Sequence, residues 1–575
     1  MKEEAFIKLL KNAFIFFDDN NNIEELKNKV KKAKQLIKER NIFLIPKKIK
    51  PFNKEYKEFL IKTIEELRKI YPKVFLVNLP PCLIPGKFDS YNYQINNYFV
   101  FLSEEGLRKI NFNRESCIFR TKGLCDGIFC SNWKIEKEKI KKEKVNINGK
   151  TYFIIYSPDK IGFAVFDEKE YEEFKNLIEN YNKEYNFYYY FLWRRGLIKI
   201  NGVSVIDFDF IEKMKEVHPS IVEIELSNSC NLRCTYCYVA AGKDKVIDWQ
   251  LLKKMIEKVI KEFAKEKDEI AIQLGGGEAL LFMDLIEKAV NYGKHLASKE
   301  NKKIRFMIQS NGLLLGKYAE KLKELGISVG VSFDGPYQDI NRPLPNGKGS
   351  RELFLKSINE ARKKGLIVDG AISVVVDPKQ MPEIYKDLKN NGFKRIKFLY
   401  YFKAGRGKEK NIEEMNKEEQ LLFANYEFEL FKKGIKEGVF LTETITKVFN
   451  LINRERPEVC SKTPCGAGRN FFVFDREGNI YPCYHFIKIP KFKMGTINDP
   501  FEKIINSKIK KELDERQVEN LECKNCPIKY FCCSGCTSHA YFHYGKIKAK
   551  SPYCLYYKEI YKKLMIWLKE NYLIF

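Results

Sequence analysis

The chain has 575 residues, 44% of them hydrophobic, with a formal net charge of +27, which bounds it to roughly three or four domains with ample cores. No run of about 18 apolar residues occurs, which excludes a membrane-spanning helix. Lys8 and Lys11 interrupt Ala5–Phe17, which makes the start a poor export signal. The lysines are dispersed among Ile, Asn and Tyr without a basic block, so the charge reads as a global bias that permits nucleic-acid binding without demanding it. Lys and Glu enrichment also fits a heat-loving source.

Residues 1–140 read as an α+β region, with Glu24–Arg40 and Lys54–Lys69 as amphipathic helices. Cys82 follows Pro80-Pro81, and Cys117, Cys125 and Cys130 come after it. These thiols fit a further iron–sulfur cluster or zinc site as well as they fit buried reduced cysteines. Residues 141–208 form a second small domain. Thr151–Tyr156, the turn Ser157-Pro158-Asp159-Lys160 and Gly162–Phe166 read as a hairpin, with helical patterns following at Glu168–Tyr181 and Glu184–Arg194.

Residues 215–449 show strand–helix alternation. Ile221–Leu226 is a strand ending at Ser227-Asn228-Ser229, and Asp248 caps a helix carrying Leu251, Leu252, Met255, Ile256, Val259 and Ile260 at helical spacing. Further strands begin near Ile270, Ile304, Ile327, Val368 and Ile396. Six such units imply α/β architecture with parallel strands and crossover helices, and sites at the C-terminal strand ends. Those ends are polar: Gly275-Gly276-Gly277-Glu278, Gln309-Ser310-Asn311-Gly312, and Ser332-Phe333-Asp334-Gly335-Pro336.

On the loop after the first strand lies Cys230-Asn231-Leu232-Arg233-Cys234-Thr235-Tyr236-Cys237. Three thiolates can hold three irons of a cubane cluster and leave the fourth open, whereas an electron-transfer cluster takes about four protein ligands. Zinc would want another soft ligand nearby, and the next cysteine is Cys460. At this spacing, with Tyr236 before the last cysteine, the segment resembles the radical S-adenosylmethionine (radical SAM) signature. The resemblance implies an open, TIM-like (βα)6 partial barrel. In that family SAM chelates the open iron and is reductively cleaved to methionine and a 5′-deoxyadenosyl radical, which abstracts a hydrogen atom. Gly276-Gly277-Glu278 resembles the family's GGEP segment, which holds the SAM amino group, with Ala279 in the place of proline. Tyr236, Ser310, Asn311, Ser332 and Asp334 resemble the family's cofactor-lining positions.

After a linker at Asn450–Pro457, residues 455–575 carry nine cysteines. Cys465-x12-Gly478-x4-Cys483, then Cys523-x2-Cys526-x5-Cys532-x3-Cys536, then Cys554, resembles the seven-cysteine SPASM motif in every interval. The resemblance implies two auxiliary 4Fe–4S clusters, one on Cys460, Cys465, Cys483 and Cys536, the other on Cys523, Cys526, Cys532 and Cys554. Such interleaving ties together a cysteine-rich iron–sulfur domain with little apolar core. Cys533 is left over as a buried thiol. Zinc ribbons remain an alternative, and disulfides conflict with the reducing, cytoplasmic setting that this cysteine usage implies.

Most SPASM enzymes modify ribosomally made peptides, so the resemblance implies a precursor peptide or protein substrate and an electron donor such as ferredoxin or flavodoxin. Gly478–Phe486 with Lys493-Met494-Gly495 is most similar to the thioether-forming branch. The sulfatase-maturing branch carries an aspartate where this chain has Tyr484. Residues 141–208 resemble a peptide-recognition domain that captures a leader by strand addition, or equally an unrelated winged helix. Modification of RNA or of a small molecule is the alternative within enzymes. A non-catalytic electron carrier is the alternative class, and it would have no need of Gly276-Gly277-Glu278.

Overall fold

The computed structural model describes residues 214–409, 412–452 and 462–571, residues 135–179 apart from 148 and 160, residues 192 and 195–200, and shorter stretches before residue 103. Cys82, Cys117, Cys125, Cys130, Cys460 and most of the expected helix at 184–194 lie outside the described residues, as do most of residues 54–69. The chain divides into two compact units, residues 1–208 with 562–575, and residues 209–561.

In the first unit, Asn12–Phe17, Asn41–Pro46 and Val74–Val77 pair in parallel and Phe101–Leu102 pairs antiparallel to the last of them. The helix Ile23–Lys34 begins one residue before the span read from the sequence and ends inside it. The expected hairpin is present as Lys150–Ser157 against Gly162–Asp167. It belongs to a three-stranded meander whose first strand, Lys141–Ile147, was not anticipated. Its sequence, KKEKVNI, is mostly charged, and its side chains alternate between half-buried and exposed, so the usual apolar strand signal is missing. A helix follows at Glu168–Glu179. It starts with a reciprocal cap in which Asp167 Oδ1 accepts from the Glu170 amide (2.8 Å) and Glu170 Oε2 from the Asp167 amide (3.0 Å). Phe174 secures its inner face by stacking on Phe166 at 4.9 Å.

The second unit is built on strands β1 (Ile221–Ser227), β2 (Glu269–Gly276), β3 (Lys303–Ser310), β4 (Ser328–Ser332), β5 (Gly370–Val375), β6 (Arg395–Tyr400) and β7 (Phe440–Leu441). They lie side by side in chain order, and every pair is parallel. Helices α1 (Trp249–Lys258), α2 (Met283–Lys299), α3 (Leu315–Glu324), α4 (Arg351–Lys363) and α5 (Met381–Asn390) fill the crossovers. This is the six-unit partial barrel expected from the alternation. Asp248 caps α1 as read, its Oδ1 accepting from the amides of Gln250 (2.8 Å) and Leu251 (3.2 Å). In β1, Val222, Ile224 and Leu226 are fully buried. Alternation puts Glu223 and Glu225 on the opposite face.

Two features bear on the expected join between the barrel and the cysteine-rich region. Helix α6 (Lys417–Glu437) leads to α7 (Thr442–Ile452), which continues through buried Asn450, so the expected linker begins inside a helix. Strand β8 (Phe471–Phe474) then pairs in parallel with β1, from Ile221↔Phe471 to Ile224↔Phe474. Strands β9 (Asn479–Tyr481) and β10 (Gly495–Thr496) add antiparallel beyond it, making one ten-stranded sheet. Phe472, Val473 and Phe474 are fully buried, which gives this strand the continuous apolar character of a two-sided buried strand. Among the described residues, no helix is long and apolar enough to cross a membrane.

Candidate active site

The first cysteine loop sits at the C-terminal end of β1, where a parallel barrel presents its reactive groups. Backbone bonds fix it from both sides: the amides of Arg233 and Thr235 donate to the carbonyls of Pro343 and Asn341, each at 2.8 Å, and the Arg406 amide donates to the Cys237 carbonyl at 2.9 Å. Gly405 lies so close beneath that a Cβ there would come 2.3 Å from the Tyr238 carbonyl oxygen. The Leu232 and Ala241 amides donate to the sulfurs of Cys230 and Cys237, each at 3.4 Å. Burial pushes the thiols of Cys230 and Cys234 up to about 11 and about 12. Bare thiols here would stay protonated at neutral pH, so the site suits a cationic iron assembly that stabilises thiolates.

The adjoining strand ends meet the loop, and they do so by backbone. Gly276, at φ +118°, would bring a Cβ 2.1 Å from the Ser227 carbonyl oxygen, and Gly277 would bring one 2.2 Å from that of Ser229. These glycines let two chain segments touch, and the amides of Gly277 and Glu278 donate to those same carbonyls at 2.8 Å. Glu278 is buried. It accepts from the Asn311 amide (2.7 Å), Ser310 Oγ (2.9 Å) and the Leu280 amide (3.2 Å), clasping the end of β2 to the end of β3. Asn311 Nδ2 reaches Asn231 Oδ1 (2.6 Å) and the Cys230 sulfur (3.8 Å). Ser332 Oγ accepts from Gln309 Nε2 at 3.0 Å.

Asp334 is more enclosed than a cofactor-facing residue. It is fully buried, and Oδ2 accepts from the Tyr236 hydroxyl, Asn341 Nδ2 (3.2 Å) and Arg342 Nε (3.1 Å). Oδ1 accepts from Arg342 Nη2 (3.3 Å), Ser373 Oγ (3.2 Å) and the Val374 amide (3.2 Å). Both oxygens are saturated, so Asp334 and Tyr236 brace the cysteine loop from below, with Arg342 over the Tyr236 ring at 5.3 Å.

Several groups near the cysteine loop and β1 escaped the reading of the sequence. Glu223 accepts from Gln273 Nε2 at 2.9 Å, and Gly275 makes room for its carboxylate, since a Cβ there would lie 2.4 Å from Oε1. Burial, with the charge of Glu225 adding, pushes Glu223 up to about 8. Lys488 Nζ answers Glu225 at 2.8 Å. Two acids at alternate positions of an otherwise apolar strand are the signal that marks this inward face. Tyr238 stands within electrostatic reach of both acids and of Cys237 and Cys483. Its ring packs at 5.1 Å from His485, which lies 4.7 Å from Phe402, and Phe402 lies 4.4 Å from His539. Burial depresses both imidazoles, His539 to about 3, so both are neutral.

In the C-terminal region Cys465, Cys523, Cys532, Cys536 and Cys554 are free thiols. Cys536 lies within electrostatic reach of Cys465, and Cys523 within reach of Cys526 and Cys554, while Cys532 feels Cys526 and Cys523. Burial raises the thiols of Cys523, Cys532 and Cys536, the first to about 11, the same donor chemistry as in the first loop. Cys533 is buried and donates to the Tyr530 carbonyl at 3.4 Å. His485, Cys536 and His539 place their ligand atoms within 4.8 Å of one another, a set that would also accept a single metal ion.

A family profile for the radical SAM superfamily matches residues 224–397, and one for an iron–sulfur cluster-binding domain, SPASM, matches residues 465–527. The chain carries a radical SAM domain and a SPASM domain. A cysteine-type anaerobic sulfatase-maturating enzyme of Clostridium novyi is 25% identical over 59% of this chain and 92% of its own length. An AdoMet-dependent heme synthase of Methanosarcina barkeri is 26% identical over 59% of this chain and 97% of its own. The solved structure of anSMEcpe with bound AdoMet and the Cp18Cys peptide is similar at a TM-score of 0.54, with 21% identity, over 61% of this chain and 98% of that one. That likeness is one of fold. The radical SAM profile runs from within β1 to within β6 and takes in the cysteine loop, Glu278, Asn311 and Asp334, and the two domain types together imply 4Fe–4S clusters and SAM.

Proposed function

We propose that this chain modifies a ribosomally made peptide or protein by radical SAM chemistry, with thioether crosslinking as the favoured outcome. The observation that carries the reading is the set of three thiols, Cys230, Cys234 and Cys237, on a loop held at one strand end beside Glu278 and Asn311, with burial raising the first two. These thiols would hold the cluster that takes SAM, and the pair supplies a 5′-deoxyadenosyl radical when bound. Glu278 Oε2 accepts one hydrogen bond and keeps a lone pair for the SAM ammonium. Asn311 orients Cys230, and Asp334 with Arg342 holds the loop rigid. Tyr238 packs against Tyr484 and His485, and His485 against Phe402, an aromatic cluster beside Cys237 and Cys483. Cys465, Cys483 and Cys536 with Cys460 would hold one auxiliary cluster, and Cys523, Cys526, Cys532 and Cys554 a second. Tyr484 offers no carboxylate where a sulfatase maturase would carry its base, which favours crosslinking over formylglycine formation. The meander at 141–167, with the helix after it, supports peptide capture by residues 141–208. A one-electron donor of the ferredoxin or flavodoxin type would complete the system.

The extent of the heme synthase similarity supports a small-molecule substrate as the second reading. Anaerobically reconstituted protein should carry about twelve irons and release 5′-deoxyadenosine from SAM under dithionite. The Cys230→Ala/Cys234→Ala/Cys237→Ala variant should lose about four irons and all SAM cleavage. Product formation by that variant would refute the assignment. A turnover increase with tetrapyrrole and none with cysteine-containing peptides would move the substrate to the second reading.

A further inference from the structure

Arg516 is 1% exposed, in the cysteine-rich region, and its guanidinium is answered only by neutral carbonyls. Nε donates to Ile547 (2.8 Å), Nη2 to Ser534 and Ala549 (both 3.1 Å), and Nη1 to Gly535 (3.4 Å). Among the described residues no carboxylate pairs with it. The contrast is local: Lys510 and Arg469, also buried, both pair with Asp514. The cage around Arg516 is purpose-built. Cys533, Ser534 and Gly535 are consecutive left-handed residues, at φ 51°, 57° and 65°, a conformation that costs energy in the two that are not glycine. It turns the Ser534 and Gly535 carbonyls onto the guanidinium, between Cys532 and Cys536.

A buried cation without an anion is costly, and an arginine cannot escape the cost by losing its proton. Within its electrostatic reach are sulfurs of both sets, Cys465 and Cys536 of one, Cys523 and Cys532 of the other, which are anionic once they ligate iron. We propose that Arg516 is the shared counter-ion of the two auxiliary clusters and raises the reduction potential of both. The inference rests on the two-cluster reading above. One electron taken from an external reductant adds one negative charge beside the guanidinium, which favours the reduced form. No proton moves, because Arg516 is charged throughout. The arrangement makes the two centres respond together, where separate counter-ions would set each alone.

The test is an EPR-monitored dithionite titration of the full reconstituted chain as wild type, Arg516→Lys and Arg516→Gln, with iron and sulfide counted in each. Arg516→Lys should keep both auxiliary potentials close to wild type. Arg516→Gln should shift both to more negative values by at least tenfold in the reduction equilibrium, about 59 mV for a one-electron couple, and leave the Cys230–Cys237 signal in place. Loss of auxiliary iron in Arg516→Gln but not in Arg516→Lys would equally support a requirement for charge. The proposal is overturned if the glutamine variant keeps wild-type potentials, if one auxiliary signal moves alone, or if both variants lose iron alike. Wild-type protein with fewer than about eight irons beyond the first cluster would instead remove the two-cluster reading itself.

Discussion

Replacing Asp334 by alanine should loosen the cysteine loop without touching a cysteine. The substitution leaves Arg342, itself buried, without its anion and Tyr236 without an acceptor. Breaking a buried pair from one side costs about 3–5 kcal/mol, and at about 1.4 kcal/mol per tenfold local opening becomes roughly 100- to 4,000-fold more frequent. The opening has an address, because Asn341 and Arg342 are held by Asp334, and residues 341 and 343 accept from the amides of Thr235 and Arg233. Hydrogen–deuterium exchange of peptides covering residues 229–243 reads it directly. Those amides should exchange faster by that factor, while the meander at 141–167 is unchanged. The double variant Asp334→Ala/Arg342→Met should recover part of the loss, since it removes the orphaned charge. Exchange of residues 229–243 within twofold of wild type in Asp334→Ala would refute the bracing role.

Gly276→Ala should abolish SAM binding by equilibrium dialysis, because its Cβ would strike the Ser227 carbonyl, on top of about 1–3 kcal/mol of backbone strain. Gly242→Ala, where a Cβ meets nothing within 4 Å, is the control, and equal affinities would defeat the explanation. Glu223 titrates near 8 in the folded chain, above its ordinary value of 4.5, so the fold holds an extra proton between those values. Stability from that proton is complete below about pH 4.5 and is lost as pH rises through about 8. Glu223→Gln should therefore flatten the pH dependence of the urea midpoint across this window, and an unchanged slope would place the titration elsewhere.

Sequence periodicity carried the barrel because each βα unit states its two periods locally. Three groups were hidden for separable reasons. Lys141–Ile147 is a strand whose charged residues conceal its alternation. Phe471–Phe474 reads as a short apolar run, and nothing local says that its partner is β1. Arg516 looks like any surface arginine, since its surroundings come from loops at 534–535 and 547–549. For Glu278 and Asp334 the residue type was legible, whereas their hydrogen-bond partners from neighbouring segments, a matter of register and not of motif, were not.

The parallel pairing of Ile221 with Phe471 joins positions 250 apart. During synthesis the outer edge of β1 emerges long before its neighbour exists, with its backbone groups unpaired and three buried-type side chains beside them. Until the later segment arrives, that edge is a template for any other extended chain, and its closure carries the high cost of a distant contact. The loop bearing Cys230 hangs from this same strand. Both edges of that strand are therefore paired only after residue 474 has docked, which makes the support of the first site depend in part on the segment that opens the cysteine-rich region.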